Sequence, residues 1–110
     1  MTPGDGVLAC TPAGGLTVCV EAETYQITPE DVRGLIFSGR PAPVVRSRVR
    51  HERGIITGEV TIEGYAALHP AGRAVVIRTR EGAWVIPLVA LSRVARGEAA
   101  SAPLFAGVGL

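Results

Sequence analysis

No lysine and no asparagine occur in the 110 residues, and all eleven cations are arginine. The planar arginine fork favours paired contacts with carboxylates over loose solvation. Cysteine is scarce too. Cys10 and Cys19 stand in a C-x8-C spacing, which matches neither a disulfide framework nor a zinc knuckle. His51 and His69, the two histidines, have no second histidine, cysteine or acid at ligand spacing. Neither belongs to a Ser-His-Asp set with a recognisable nucleophile turn. Gly4-Asp5-Gly6 and Gly14-Gly15 lack the strand–loop–helix setting of a phosphate loop. A nucleophile, a base and an orienting group cannot be assembled, so neither an enzyme nor a cofactor is expected.

Neither sign of charge prevails: eleven basic side chains face ten acidic ones, for a net charge of +1. That gives no global field for steering nucleic acid or an anionic membrane. No apolar run approaches the ~20 residues of a membrane helix. Residues 1–5 show no basic stretch leading into an apolar one. The expectation is a cytoplasmic protein with no membrane partner. Apolar residues make up 47% of the chain and charged ones 19%. Such a chain can build the core of one ordinary domain, or of two very small ones.

The chain repeats itself. Residues 6–20 read GVLACTPAGGLTVCV and residues 64–78 read GYAALHPAGRAVVIR. At an offset of 58, Gly6 falls on Gly64, Ala9 on Ala67, and Pro12-Ala13-Gly14 on Pro70-Ala71-Gly72. Glu23 falls on Glu81. After one inserted residue, Tyr25 meets Trp84, Ile27 meets Ile86, Val32 meets Leu91 and Leu35 meets Val94. One further shift sets Ala42-Pro43-Val44 on Ala102-Pro103-Leu104. An identical turn flanked by matched apolar positions points to duplication.

Each copy reads alike. A short strand (7–11; 65–69) meets a Pro-Ala-Gly turn, where proline fixes one corner and glycine accepts a positive φ. A second strand (16–22; 74–80) is rich in Val, Thr and Ile. A third (25–27; 84–86) carries the aromatic and ends before Pro29 or Pro87, which cannot donate to a ladder. Thr28-Pro29-Glu30-Asp31 has the pattern of a helix start. The preferred reading beyond the prolines is one helical turn and then a short strand, 35–38 and 93–95, because the stretch is short and Gly34 interrupts it. A whole helix closed by Gly39 or Gly97 is the competing reading.

This order, with Ile86-Pro87 and then Leu91, resembles the SH3-like class of small barrels. The resemblance covers about 35 residues per copy and is architectural. The peptide-binding aromatics of true SH3 domains are missing, so no binding residues are carried over. The expected fold is mainly β, an internally duplicated small SH3-like barrel with short helical turns after Pro29 and Pro87. It forms one domain over residues 1–110, with repeats at 6–44 and 64–104 joined by a hairpin-like segment, 45–63.

In that segment Val45, Ser47 and Val49 alternate with Arg46, Arg48 and Arg50, a period-two strand with one basic face. A four-residue loop at 51–54 would place Arg48 opposite Thr57 and Arg46 opposite Glu59. Thr57, Glu59, Thr61 and Glu63 share one face of the return strand; Gly58, Val60 and Ile62 share the other. Arg46, Arg48, Arg50 and Arg53 are candidate contacts for phosphates or an acidic partner. Cross-strand pairing is the plainer reading, and no aromatic interleaves them for base stacking. The tail, 99–110, adds an edge strand or frays.

The repeat sets Cys10 on Leu68 and Cys19 on Ile77, so both thiols are expected in the core. The same logic sets Phe37 on Arg96 and turns Phe37 outward. Phe37 is therefore a candidate interface residue, and Leu104 and Phe105, the large anchors of the apolar tail, are two more. The expected function is a non-enzymatic interaction or regulatory module that contacts a protein partner or a second copy, making a homodimer. The alternatives are nucleic-acid or acidic-partner binding through the arginines, and a small ligand held between the repeats with Tyr25 and Trp84 as walls.

Overall fold

The two Pro-Ala-Gly segments each reverse the chain within a hairpin. In the computed structural model, which describes residues 6–20 and 23–107, the first hairpin joins β1 (Gly6–Cys10) to β2 (Leu16–Val20). The Gly14 amide donates to the Thr11 carbonyl at 3.0 Å, and Gly14 takes φ +93°. The Gly72 amide donates to the His69 carbonyl at 2.7 Å, with φ +79°. Side chains brace both turns. Thr11 Oγ1 accepts from the Gly15 amide at 2.9 Å, and His69 Nδ1 from the Ala71 amide at 3.2 Å.

The chain continues through β3 (Glu23–Ile27), α1 (Pro29–Ser38) and β4 (Ala42–Glu52). It returns through β5 (Ile55–Leu68), β6 (Ala74–Thr79), β7 (Gly82–Pro87), α2 (Leu88–Ala95) and β8 (Ser101–Ala106). Each strand lies antiparallel to its neighbour in sequence, and β8 pairs with β1 to close an eight-stranded barrel. The order strand, strand, strand, helix, strand occurs twice. The two halves contribute strands to one ring around one core.

That core draws Leu8, Val18, Tyr25 and Ile27 from the first half, and Ile77, Trp84, Ile86 and Leu104 from the second. Every large buried side chain among the described residues is aliphatic or aromatic. Each fully buried Leu, Ile or Val stabilises the fold by roughly 2 kcal/mol. Tyr25 and Trp84 are 1% and 6% exposed, so they fill the barrel and do not wall an open cleft between its two halves.

Both prolines open true helices, not single turns followed by strands. In α1 the Thr28 hydroxyl accepts from the Asp31 amide at 3.3 Å, Pro29 occupies the first turn, and Gly39 closes the helix at φ +65°. Capping at both ends outweighs the poor intrinsic preference of Gly34. Gly97, at φ +76°, follows α2. Val32 and Leu35 of α1, and Leu91 and Val94 of α2, are buried against the barrel. That burial supports helices too short to stand alone.

The observed pairing corrects the expectations for the inserted residue, the thiols and the tail. Cys10 pairs with Leu16, and Leu68 pairs with Val75. The first turn therefore spans 11–15 and the second 69–74, which puts the extra residue of the second half inside its turn. A one-residue slip turns a strand over. Val18, not Cys19, then matches the buried Ile77. Cys19 is exposed and Cys10 is half-buried; both thiols are free. Finally, the described part of the tail makes no edge: β8 closes the barrel, and Leu104 is fully buried, which removes it as an interface candidate; residues 108–110 lie outside the described residues.

Candidate interaction surface

β4 and β5 are 11 and 14 residues long, against 5 or 6 for the other strands. The barrel uses only their inner ends. The ladder between β3 and β4 is the single pair Gln26 and Val45, and pairing of β5 with β6 starts at Gly64 opposite Thr79. Beyond these points β4 and β5 continue as a two-stranded arm with both edges open. The two helices and the Pro-Ala-Gly turns occupy the opposite end of the barrel. The molecule measures 50 × 26 × 23 Å, and an arm of about eight residues per strand accounts for roughly 25 Å of the long axis.

A bulge sets the arm's direction. Val44 pairs with Gly64 but Val45 pairs with Ile62, which leaves Glu63 as the extra residue. Bulges bend and twist a ribbon in this way. Arg53 (φ +52°) and Gly54 (φ +78°) form the tip. Two successive positive φ values make a two-residue hairpin turn, in place of the four-residue loop expected. The register shifts accordingly: Arg48 faces Glu59 and Arg46 faces Thr61.

Cross-strand partners share a face, so the register sorts the arm into two unlike surfaces. One carries Arg46, Arg48, Arg50 and Glu52 beside Thr61, Glu59, Thr57 and Ile55. The other carries Val45, Ser47, Val49 and His51 beside Ile62, Val60, Gly58 and Ile56. It holds no carboxylate and no arginine. Its apolar side chains are open to solvent: Val49 63%, Ile56 67%, Val60 66% and Ile62 54% exposed. Tyr65, 52% exposed and opposite Pro43, lies where the arm joins the barrel. There an open groove of about 770 Å³ runs along the outer wall of β5 and β6, lined by Tyr65, Ala67, Val76 and Arg78 among others.

The four candidate arginines do not form one free strip. Arg46 is tied to the barrel mouth. Its guanidinium lies 5.1 Å from the centre of the Tyr25 ring, donates to the Tyr25 hydroxyl at 3.1 Å and pairs with Glu23 at 3.1 Å. Its Nε is buried without a hydrogen-bond partner. The bond to Tyr25, more than the attraction of Glu23, holds Arg46 above an ordinary arginine pKa against the opposing cost of desolvation. Arg50 reaches across to Glu59 at 3.5 Å. Over residues 45–63, four arginines stand among Glu52, Glu59 and Glu63, which leaves a weak local field.

Of the remaining candidates, Phe37 is 81% exposed on α1, at the helix end of the barrel. Phe105 is half-buried opposite Val85. His51 lies in β4 opposite Ile56, not in a turn. Among the described residues, no three His, Cys, Asp or Glu side chains gather as a metal centre requires, and no helix is long and apolar enough to cross a membrane.

Val49, Ile56, Gly58, Val60 and Ile62 were not singled out from the sequence, although their alternation is legible there. Alternation says that a face is apolar; it does not say whether the chain covers that face itself. No protein-family model matches the chain, and neither the curated proteins nor the solved structures compared with it give a match.

Proposed function

We propose that this chain is a non-enzymatic interaction or regulatory module, and that the apolar face of the β4–β5 arm is its working surface. One observation carries the reading: a neutral, contiguous apolar face on a ribbon that projects from the barrel. A two-stranded ribbon is marginal in water by itself. A contiguous exposed apolar patch marks a contact site more often than a solvated surface.

We infer in addition that the barrel arose by internal duplication. Gly6 and Gly64 support this. A Cβ on Gly6 would crowd Val20 and the Cys19 carbonyl, and one on Gly64 would collide with the Arg78 carbonyl. The buried pairs Tyr25 and Trp84, Ile27 and Ile86, and Val44 and Leu104 support it as well. The SH3-like resemblance extends to the element order of each half and no further, because the halves share one ring.

Photo-crosslinking in the producing cells tests the module reading. A photoreactive side chain at position 60 samples the apolar face, and one at position 57 samples the charged face. The reading expects polypeptide adducts from position 60 and few from 57. No adducts from either position would overturn it. Nucleic-acid adducts concentrated at 57 would overturn it too, in favour of the arginine face.

A further inference from the structure

Gly58 is the glycine the chain does not need. Among the described glycines, Gly14, Gly39, Gly54, Gly72, Gly82 and Gly97 have a positive φ that favours glycine. Gly6, Gly15, Gly34, Gly64 and Gly107 would each bring a Cβ within 3.4 Å of a neighbouring atom. Gly58 has neither reason: its φ is ordinary and nothing lies within 4 Å of the place a Cβ would take. It sits in mid-strand opposite Val49, where a β-branched residue would serve the strand better. A glycine inside a strand often marks the close approach of another backbone or ligand. Here the gap opens onto the apolar face, between the exposed Val60 and Ile56.

We propose that this gap receives Val60 of a second copy, and that the protein forms a twofold dimer by packing two arms face to face. The proposal rests on the arm being the working surface and names its occupant. Four levels lie along the apolar face: Val45–Ile62, Ser47–Val60, Val49–Gly58 and His51–Ile56. A twofold axis across the arms, between the second and third levels, superposes β5 on β5 of the second copy in reverse. Val60 of each copy then stands over Gly58 of the other. Both gaps fill, and the barrels lie at opposite ends, clear of each other.

Charge selects this arrangement. The packed faces carry no arginine and no acid, so self-pairing meets no like-charge repulsion. Edge-to-edge pairing does: β4 against β4 sets Arg48 and Arg50 beside their own kind, and β5 against β5 brings two Glu59 carboxylates together in the in-phase register. The absence of cations from the apolar face also disfavours phosphate backbones as its occupant. The exposed side chains offer on the order of 500 Å² per copy, so the pair hides roughly 1,000 Å², the lower bound of a specific contact. A contact at that bound is expected to be reversible.

Sedimentation velocity on the purified full chain, from low to high micromolar concentration, tests this. Wild type should shift from one to twice the single-chain mass. Gly58→Val fills the gap, and its Cβ meets nothing of its own chain within 4 Å. It should keep the wild-type circular dichroism and monomer melting temperature while raising the dimer Kd at least tenfold. Combining Gly58→Val with Val60→Gly exchanges projection and gap across the axis and should recover most of the affinity. A wild type that stays monomeric throughout overturns self-pairing, as does a dimer indifferent to Gly58→Val. Crosslinks from position 60 to a different protein would end self-pairing and leave the module reading in place. A monomer that also gives no crosslinks would end both.

Discussion

At the scale of single residues, two glycines on the same strand make opposite predictions. Gly64 sits at the bulge, where a Cβ would collide with the Arg78 carbonyl of the neighbouring strand. Backbone cannot move aside as a side-chain tip can, so Gly64→Ala should destabilise the barrel by about 3 kcal/mol. Gly58→Ala, measured by chemical denaturation at low protein concentration, should stay within about 0.5 kcal/mol of wild type. Equal losses at both positions would contradict the account of the arm. The thiols give a second contrast. Cys19 is exposed on the outer wall, and Cys10 is half-buried beside the core with its Sγ 3.2 Å from the Thr11 carbonyl. Iodoacetamide should label Cys19 on the native protein well before Cys10, read by mass spectrometry. Reversed order would restore the burial the sequence suggested for Cys19. That suggestion failed because the inserted residue was placed after β2, when it belongs in the second turn. With period two, one misplaced residue inverts a whole strand.

At the scale of elements, the strands, the two Pro-Ala-Gly turns and the arm were legible in hydrophobic alternation and turn chemistry. The helices were not, although every capping signal of α1 was present in Thr28, Pro29 and Gly39. Shortness and Gly34 argued for a strand, but what decides is burial of Val32 and Leu35 against the barrel, a tertiary effect. The cap still contributes. Thr28→Ala removes the acceptor for the Asp31 amide and should cost about 1 kcal/mol, lowering the Tm by roughly 5 °C. An unchanged Tm would mean that packing alone sets the helix. The arm's register was missed by two residues because Arg53 adopts a positive φ. That conformation is uncommon for arginine, and the sequence before Gly54 does not announce it.

At the scale of the molecule, duplication suggested two like halves, but the sequence left open whether they make one barrel or two. The ring closes only when the tail pairs with the first strand, a contact between the two ends of the described chain. No local pattern encodes so distant a pairing. The candidate surface was hidden for the same kind of reason: an apolar face becomes a site only once the rest of the chain has failed to cover it. Hydrogen exchange across residues 46–62, followed at low and at high protein concentration, reads that coverage directly. A face packed against a second copy stabilises a ribbon that is marginal alone, so amide exchange there should slow as concentration rises, while the rates in β1, β2 and β7 stay constant. Exchange in the arm that is equally fast at every concentration would contradict the pairing on which the account rests.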